Sequence, residues 1–453
     1  GKPLRYFEGI ASGRSSGVPS VMVMLKKAHD DYGTLTWGPQ MEPAIKLAED
    51  GFAISPRMAG LMKRAANLAL SRQTAARDYF FEADGKTTHP AGFIRDNKPY
   101  ANTLKALQDN PRALLEGPIA EEILAATREE PLPGTMALED MAAYQAKRRP
   151  AVCSTYRKHT VCGSQPPASG GIAVQAILGL LENYDMTALG QSTQGWHTFA
   201  EASFLAYADR DRYVADDAFV TVPVKAMLDK DYLKSRAALI SADHAMTSVK
   251  AGNPAGFVRG KDATPDSPGT SHFTVVDKNG LTVSMTTTIE SVFGSQRMAG
   301  GFMLNNQLTD FSFKVHDEAG RHIANAPAPG KRPRSSMAPT IVFDENGEFL
   351  FTTGSPGGNS IIAYTAKTIV GMIDWGLSPQ EAINLPNVIA RNGSIRLEEN
   401  KLDEDIITGL EALGHKVVRS KGEISGLHII YRNTDGTLVG GADPRREGIA
   451  KAP

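Results

Sequence analysis

No charge of either sign predominates in this sequence. Its 49 Lys and Arg stand against 50 Asp and Glu, a formal net charge of -1, so no global field favours nucleic acid or an anionic membrane. No apolar run approaches the ~18 residues that a spanning helix needs. The chain opens on "GKPLRYFEG", without a Met, a basic stretch or an apolar stretch, so no targeting segment is read within it. Cysteine is scarce: only Cys153 and Cys162 occur, in "AVCSTYRKHTVCG". A hairpin turning at Arg157-Lys158 sets the two face to face, within reach of a disulfide after modest adjustment. Such a bond points to an oxidising compartment; two small buried apolar residues are the alternative. There is no internal repeat and no low-complexity tract. The ten histidines show no ligand spacing, and no metal site is expected.

What is present is ordinary for a globular chain: 41% hydrophobic and 22% charged residues. Up to about residue 150, "VPSVMVMLKKAHDDYG", "MEPAIKLAEDGF", "NTLKALQDN", "GPIAEEILAATREE" and "ALEDMAAYQAK" carry apolar residues at helical spacing. Pro and Gly punctuate between them. After the cysteine hairpin come the helices "IAVQAILGLLENY" and "GWHTFAEASFLAYADRDRYV", then an aperiodic stretch at 250–269 that reads as a surface loop. Past Thr270 strands appear. "SHFTVVDKNGLTVSMTTTI" is a hairpin on an Asn-Gly turn, "PTIVFDENGEFLFTTG" a second and "GLHIIYRNTDGTLVGGADP" a third. Between the last two lie the helices "IIAYTAKTIVGMIDWG", "SPQEAINLP" and "DEDIITGLEALGH". This order predicts an α+β fold with two sheets between helical layers.

Thr270 sits where the loop "DSPG" meets the strand that places His272, Thr274 and Val276 on one face and Phe273 and Val275 on the other. A threonine hydroxyl is a poor nucleophile without a base. No Ser-His-Asp pattern or G-x-S-x-G elbow offers one. Breaking the Gly269–Thr270 bond would make Thr270 an N-terminus, and its own α-amine, with a reference pKa of ~7.7–8.0, could take the hydroxyl proton. The alternative is an ordinary threonine at a loop–strand junction.

The ordered series "TSHFTVVD", "TTTIESVFGS", "LNNQLTDFS", "GKRPRSSMAPT", "TGSPGGNSII" and "GGADPRR", with "GVPS", "EDGF" and "PPASGG" earlier, resembles the γ-glutamyltranspeptidases, a family of N-terminal-nucleophile hydrolases, over nearly the whole chain. The resemblance implies a four-layer αββα sandwich. Residues 1–269 would form a large-subunit portion and residues 270–453 a small-subunit portion, together one domain. Thr270 matches the threonine that cuts its own precursor after Gly269 and then acts as nucleophile. Thr288 matches the hydroxyl that hydrogen-bonds it. Gly357 and Gly358 match the oxyanion-hole amides, worth roughly 3–4 kcal/mol each in comparable enzymes. The rival reading of those glycines, a phosphate loop, lacks the Gly-Lys-Ser/Thr that should follow. Ser335 and Ser336 match donors to the α-carboxylate of a γ-glutamyl group, and Gln307 and Asp310 match partners of its α-ammonium.

Two departures from the family pattern stand out. Glu290 occupies a position where the family commonly has Asn, and it would add negative charge beside the ammonium pocket. The family's carboxylate-clamping arginine belongs to a segment upstream of the one matching "SSGVPS", so no residue here matches it and an upstream portion is expected. The stretch between Asp310 and Ser335 corresponds to a lid, and its Gly and Pro suit a mobile cover, although no aromatic after Phe313 offers a gate. The implied activity is γ-glutamyl transfer from glutathione or another γ-glutamyl amide to water, amino acids or peptides, without metal or organic cofactor. The implied partners are those small molecules, with no nucleic acid and no membrane segment. The two fragments of one precursor would form a heterodimer in the periplasm or outside the cell. The rivals are a cephalosporin (glutaryl) acylase on the same scaffold, against which Asp310 argues, and a non-catalytic protein retaining the fold.

Overall fold

The computed structural model describes residues 4–66, 69–265, 269–421 and 425–452. Residues 266–268, which belong to the loop expected before Thr270, lie outside the described residues. By their internal contacts the residues fall into two compact units, Gly1–Arg149 with Thr288–Thr309, and Pro150–Thr287 with Asp310–Pro453. The 269/270 boundary expected between the two fragments lies inside the second unit.

The first unit is helical, as its periodicity predicts. Helices Glu42–Asp50, Lys98–Asp109 and Pro118–Arg128 supply most of a core that includes Ile45, Leu104, Leu107, Ile123 and Leu124, against which Met22 and Val23 of helix Val21–Tyr32 pack. Helix Lys98–Asp109 starts where Asn97 accepts a hydrogen bond from the Tyr100 amide at 3.1 Å, satisfying one of the donors a helix start leaves unpaired. The helix expected along "ALEDMAAYQAK" is confined to Leu138–Ala142. Arg112 Nη2 donates to the Ala142 carbonyl at 2.8 Å, which caps the short helix from outside. A second core gathers Met62, Leu70, Phe80, Phe293 and Met298.

The second unit is built on a six-stranded antiparallel sheet. In chain order its main elements are β1 (Val152–Tyr156), β2 (His159–Gly163), helices α1 (Gly170–Leu181) and α2 (Thr193–Tyr213), β3 (Thr270–Val276), β4 (Thr282–Thr288, whose last residue is counted with the first unit), β5 (Thr340–Phe343), β6 (Phe349–Gly354) and helix α3 (Ile361–Ile373). There follow β7 (Val388–Arg391), β8 (Ser394–Glu398), helix α4 (Glu404–Ala412), β9 (Val417–Ser420), β10 (His428–Arg432) and β11 (Leu438–Ala442). The sheet order is β11-β10-β6-β5-β2-β1, and β3-β4 form a separate ribbon. All three hairpins and all the helices expected after residue 170 are present. Strands β7, β8 and β9 were not expected. They make a small third sheet, β7 antiparallel and β9 parallel to β8. Its signal was there: Asn392 and Gly393 both take positive φ, 54° and 77°, as a type I′ hairpin turn requires.

Helices α1 and α3 pack on the six-stranded sheet, and α2 packs on α1. Tyr156, Ile177, Trp196, Phe199, Phe351 and Ile369 are at most 1% exposed in the core between them, each worth roughly 1.5–3 kcal/mol of burial. The β3-β4 ribbon packs against β6 and β10. Alternation along β6 puts Phe351 toward the helices and Gly354 on the ribbon side. There the His272 ring takes the space a side chain would need: a Cβ on Gly354 would lie 2.3 Å from His272 Cε1. The polarity of β3 is therefore the reverse of a simple amphipathic strand. His272 is buried, with Nδ1 2.9 Å from Thr286 Oγ1, whereas Phe273 and Val275 are exposed.

The stretch expected to be a surface loop is not uniformly exposed. Asp262 is 1% exposed and accepts from Arg334 Nη2 at 3.0 Å and Asn325 Nδ2 at 2.9 Å; a buried carboxylate needs such partners. The stretch read as a mobile cover is also anchored at its middle, where Ile323 to Ala326 are buried and Lys331 Nζ donates to the carbonyls of Ala324 and Ala326.

Cys153 and Cys162 pair across β1 and β2 and are joined by a disulfide. It closes a loop of roughly ten residues, so replacing both with serine should cost about 2–3 kcal/mol of stability. Denaturant unfolding under oxidising conditions measures this, and donor KM should not change.

Candidate active site

In the second unit Thr270 opens β3 and is 6% exposed. Its carbonyl accepts from Arg446 Nη1 at 2.8 Å. Arg446 is held by the turn around "ADPRR". Buried Asp443 accepts from Ser425 Oγ at 2.6 Å and from the Leu427 amide at 3.2 Å. Arg445 donates to both Glu398 oxygens at 2.7 Å, the planar two-point pairing that arginine is shaped for. The motif was visible in the sequence; the contact of its last arginine with Thr270 was not.

From β6 the chain runs through "SPGGN" into α3. Gly357 has φ 138° and Gly358 φ 59°, conformations in which a side chain is strained. A Cβ on Gly357 would also lie 2.5 Å from Tyr364 Cε2. Gly358 begins a 3-10 turn, Gly358–Ser360, that leads directly into α3, so the amides here belong to a helix start, where the dipole favours negative charge. Packing of His272 under Gly354 sets the start of β3 and this loop against the same end of β6.

Ser335 and Ser336 lie beside the "PPASGG" segment. The Ser335 carbonyl accepts from the amide and the hydroxyl of Ser169, both at 2.7 Å, and the Ser335 hydroxyl accepts from the Met337 amide at 3.2 Å. Ser336 donates to Asn359 Oδ1 at 2.5 Å and accepts from Arg210 Nη2. Arg210 is 1% exposed. It also reaches Ser169 Oγ at 2.8 Å and Asp211 at 2.7 Å. Burial, then Arg334, lowers its pKa to about 10. Burial raises Asp211, but Arg391, Arg210 and Arg334 together draw it down to about 2. Arg210, Arg334, Arg391, Asp211 and Asp262 thus form an ion-pair network behind Ser336. Asp310 joins it through its backbone: its carbonyl accepts from Asn325 Nδ2 at 2.7 Å. Neither Arg210 nor Asn359 was singled out from the sequence, because "DRDRY" reads as the charged end of a helix.

In the first unit Thr288 Oγ1 accepts from the Glu290 amide at 2.8 Å. Glu290 is 4% exposed, and its carboxylate accepts from Ser291 Oγ at 2.7 Å, Tyr6 OH at 3.4 Å and Asn306 Nδ2. Its φ is 76°, a region where Asn is far easier to accommodate than Glu; that is a backbone reason for Asn being common there. In "LNNQLTD", Asn305 binds both backbone groups of Gly17 and accepts from the Gln307 amide at 2.9 Å. Asn306 bonds Glu290, Ser291 and Thr309.

Among the described residues no helix is long and apolar enough to cross a membrane. The family model for gamma-glutamyltranspeptidase matches residues 5–452. The glutathione hydrolase proenzyme of Escherichia coli (strain K12) is 36% identical over 450 residues, 97% of this chain and 75% of that protein. The acylase ACY 1 proenzyme of Pseudomonas sp. (strain V22) is 35% identical over 453 residues, 98% of this chain and 76% of that protein. The crystal structure of cephalosporin acylase from Bacillus halodurans superimposes with a TM-score of 0.84 at 24% identity, covering 96% of this chain and 78% of that one. That likeness shows a shared α+β fold.

Proposed function

The chain belongs to the gamma-glutamyltranspeptidase family, and from that premise we propose that it transfers a γ-glutamyl group from glutathione or a related amide to water, an amino acid or a peptide. The Gly269–Thr270 bond breaks first, giving two fragments of one precursor that remain together. Thr270 Oγ1 then attacks the γ-carbonyl carbon, and the freed Thr270 amine takes the hydroxyl proton. The amides of Gly357 and Gly358 receive the oxyanion. The C–N bond breaks as the amine's proton passes to the leaving nitrogen, leaving a γ-glutamyl ester on Thr270. Water or an acceptor amine attacks that ester and restores the hydroxyl.

The observation that carries this reading is the placing of Thr270 at the first position of a strand packed against the β6 end that leads into Gly357 and Gly358. Ser335 and Ser336 are proposed to hold the α-carboxylate, with the Arg210 guanidinium directly behind Ser336. For Ser336 this means turning its hydroxyl hydrogen from Asn359 to the substrate. Asp310, Gln307 and Glu290 are proposed to hold the α-ammonium. The disulfide supports an oxidising compartment, periplasmic or extracellular.

An acylase reading shares the Thr270 chemistry, and the 35% identity to acylase ACY 1 keeps it as the second reading. A glutaryl donor lacks the α-ammonium that Asp310 would pair. The test is activity on a γ-glutamyl anilide and on a glutaryl anilide, each with and without a dipeptide acceptor. The γ-glutamyl anilide should react at least ~100-fold faster, as expected when a buried charge finds its partner only in one donor. Equal rates, or a faster glutaryl donor, would replace the first reading with the second.

A further inference from the structure

Within the second unit, outside the residues discussed so far, a group of titratable side chains meets in the core. His197 and Glu201 lie one turn apart on α2, so they share a helix face. His415 comes from the turn after α4. They are 0%, 0% and 7% exposed, and each offers a ligand atom within 4.8 Å of the others. We propose that His197, Glu201 and His415 form a buried site for one divalent transition metal of the zinc type.

The hydrogen bonds around the group orient it as ligands are oriented. His197 Nε2 donates to the Ser241 carbonyl at 2.7 Å. This fixes the tautomer and turns the Nδ1 lone pair toward His415 Nε2, 2.7 Å away. A carbonyl behind a histidine ligand is the usual outer support of a metal site. Glu201 is held the same way: Oε2 accepts from the Met246 amide at 3.1 Å. Its other oxygen, Oε1, is buried without a hydrogen-bond partner and lies 3.9 Å from His415 Nδ1. An unpartnered buried carboxylate oxygen is costly, and a cation between it and the imidazoles would remove that cost.

Two imidazoles and one carboxylate suit zinc and its neighbours and do not suit calcium or magnesium, which take oxygen ligands. Zinc bonds of ~2.0–2.1 Å put neighbouring ligand atoms about 3.3 Å apart. His197 Nδ1 and His415 Nε2 would open by roughly half an ångström, and the Glu201 carboxylate, whose 3.9 Å approach is to the other nitrogen of the His415 ring, would have to swing toward Nε2. The three side chains are buried, and a water would take the fourth position of the metal. Ser241 and Met246 supply its outer hydrogen bonds, and the Ala245 amide donates to the Leu413 carbonyl at 2.7 Å, tying that segment to the turn before His415. A metal here would pin α2, the 241–246 segment and the 413–415 turn together. Its role would be structural, and it does not depend on the reading of Thr270.

The probe is Zn2+, with Co2+ as its spectroscopic substitute, added to the purified full chain after chelator treatment and dialysis. One equivalent of Zn2+ should bind and raise the unfolding midpoint by about 3 °C or more at a hundredfold excess over Kd. Co2+ should give the intense visible d–d absorption of a four-coordinate site. Glu201→Gln and His415→Gln should each weaken Zn2+ binding by at least ~100-fold. Since these variants could fail to fold, hydrogen exchange on the unaltered protein locates the site independently: Zn2+ should protect the amides of residues 241–246. Less than one equivalent bound, no four-coordinate Co2+ spectrum, undiminished binding by folded variants, or no protection at 241–246 would overturn the proposal.

Discussion

Thr270→Ala should leave a single full-length chain, and donor turnover should fall by ~10^4-fold or more. The first effect follows from chemistry: if the hydroxyl of Thr270 attacks the preceding carbonyl, alanine has nothing to attack with. Ser271 cannot substitute, because successive strand residues point to opposite faces and Ser271 is exposed where Thr270 is buried. The second effect follows from losing both nucleophile and base at once, a loss that in comparable enzymes leaves only the contribution of binding and the oxyanion site. A denaturing gel separates the outcomes. The unaltered protein should give fragments 1–269 and 270–453, and the variant one band. Cleavage of the alanine variant at the same bond would mean that an outside protease makes the cut. Thr270→Ser should restore both cleavage and turnover at reduced rates, which a merely misfolded variant would not.

Asp310→Ala should lower kcat/KM for γ-glutamyl donors by more than ~100-fold while leaving cleavage intact. Removing one partner of a desolvated ion pair costs about 3–5 kcal/mol, and a tenfold change in rate corresponds to roughly 1.4 kcal/mol. The substitution spares the backbone, so the Asp310 carbonyl keeps its bond to Asn325 and the network behind Ser336 should survive. Thermal unfolding within a degree or two of the unaltered protein would establish that. The paired measurement is the glutaryl donor, which has no ammonium to lose: its rate should change little. An equal fall for both donors would assign Asp310 a structural role instead of a recognition role.

The legibility of the fold in the sequence was uneven, and the unevenness has a pattern. Asn279-Gly280 announced the β3-β4 hairpin, and Ser378 with Glu381 closed a capping box at the start of a helix. Such signals act between residues a few positions apart. The Asn392-Gly393 turn was equally local, yet β7 and β8 went unrecognised because four- and five-residue strands carry too little alternation to stand out. The short helix Leu138–Ala142 was overextended because its end depends on Arg112, distant in sequence. Asp262 read as loop surface because a lone aspartate beside Gly and Lys looks solvated until Arg334 and Asn325 are brought to it.

The candidate site divides in the same way. Thr270 could be singled out from the sequence as a threonine at a loop–strand junction, and Gly357-Gly358 as a place where the backbone must do what side chains forbid; their φ values agree with that need. Both are demands of local geometry, and residue type records them. The cysteine pair was local as well, since one hairpin sets its register. By itself the sequence therefore determined the long helices of the second unit, the three hairpins, the junction at Thr270 and the family resemblance, but not the helices Pro56–Ala66, Thr74–Phe80 and Lys230–Ala237. The tertiary structure alone decided that Arg446 reaches the Thr270 carbonyl, that Arg210 stands behind Ser336, and that His415 meets His197 across 218 positions of sequence. Those contacts depend on how the helices and sheets of the second unit pack, and packing is a sum over many weak apolar contacts that no short stretch of sequence contains.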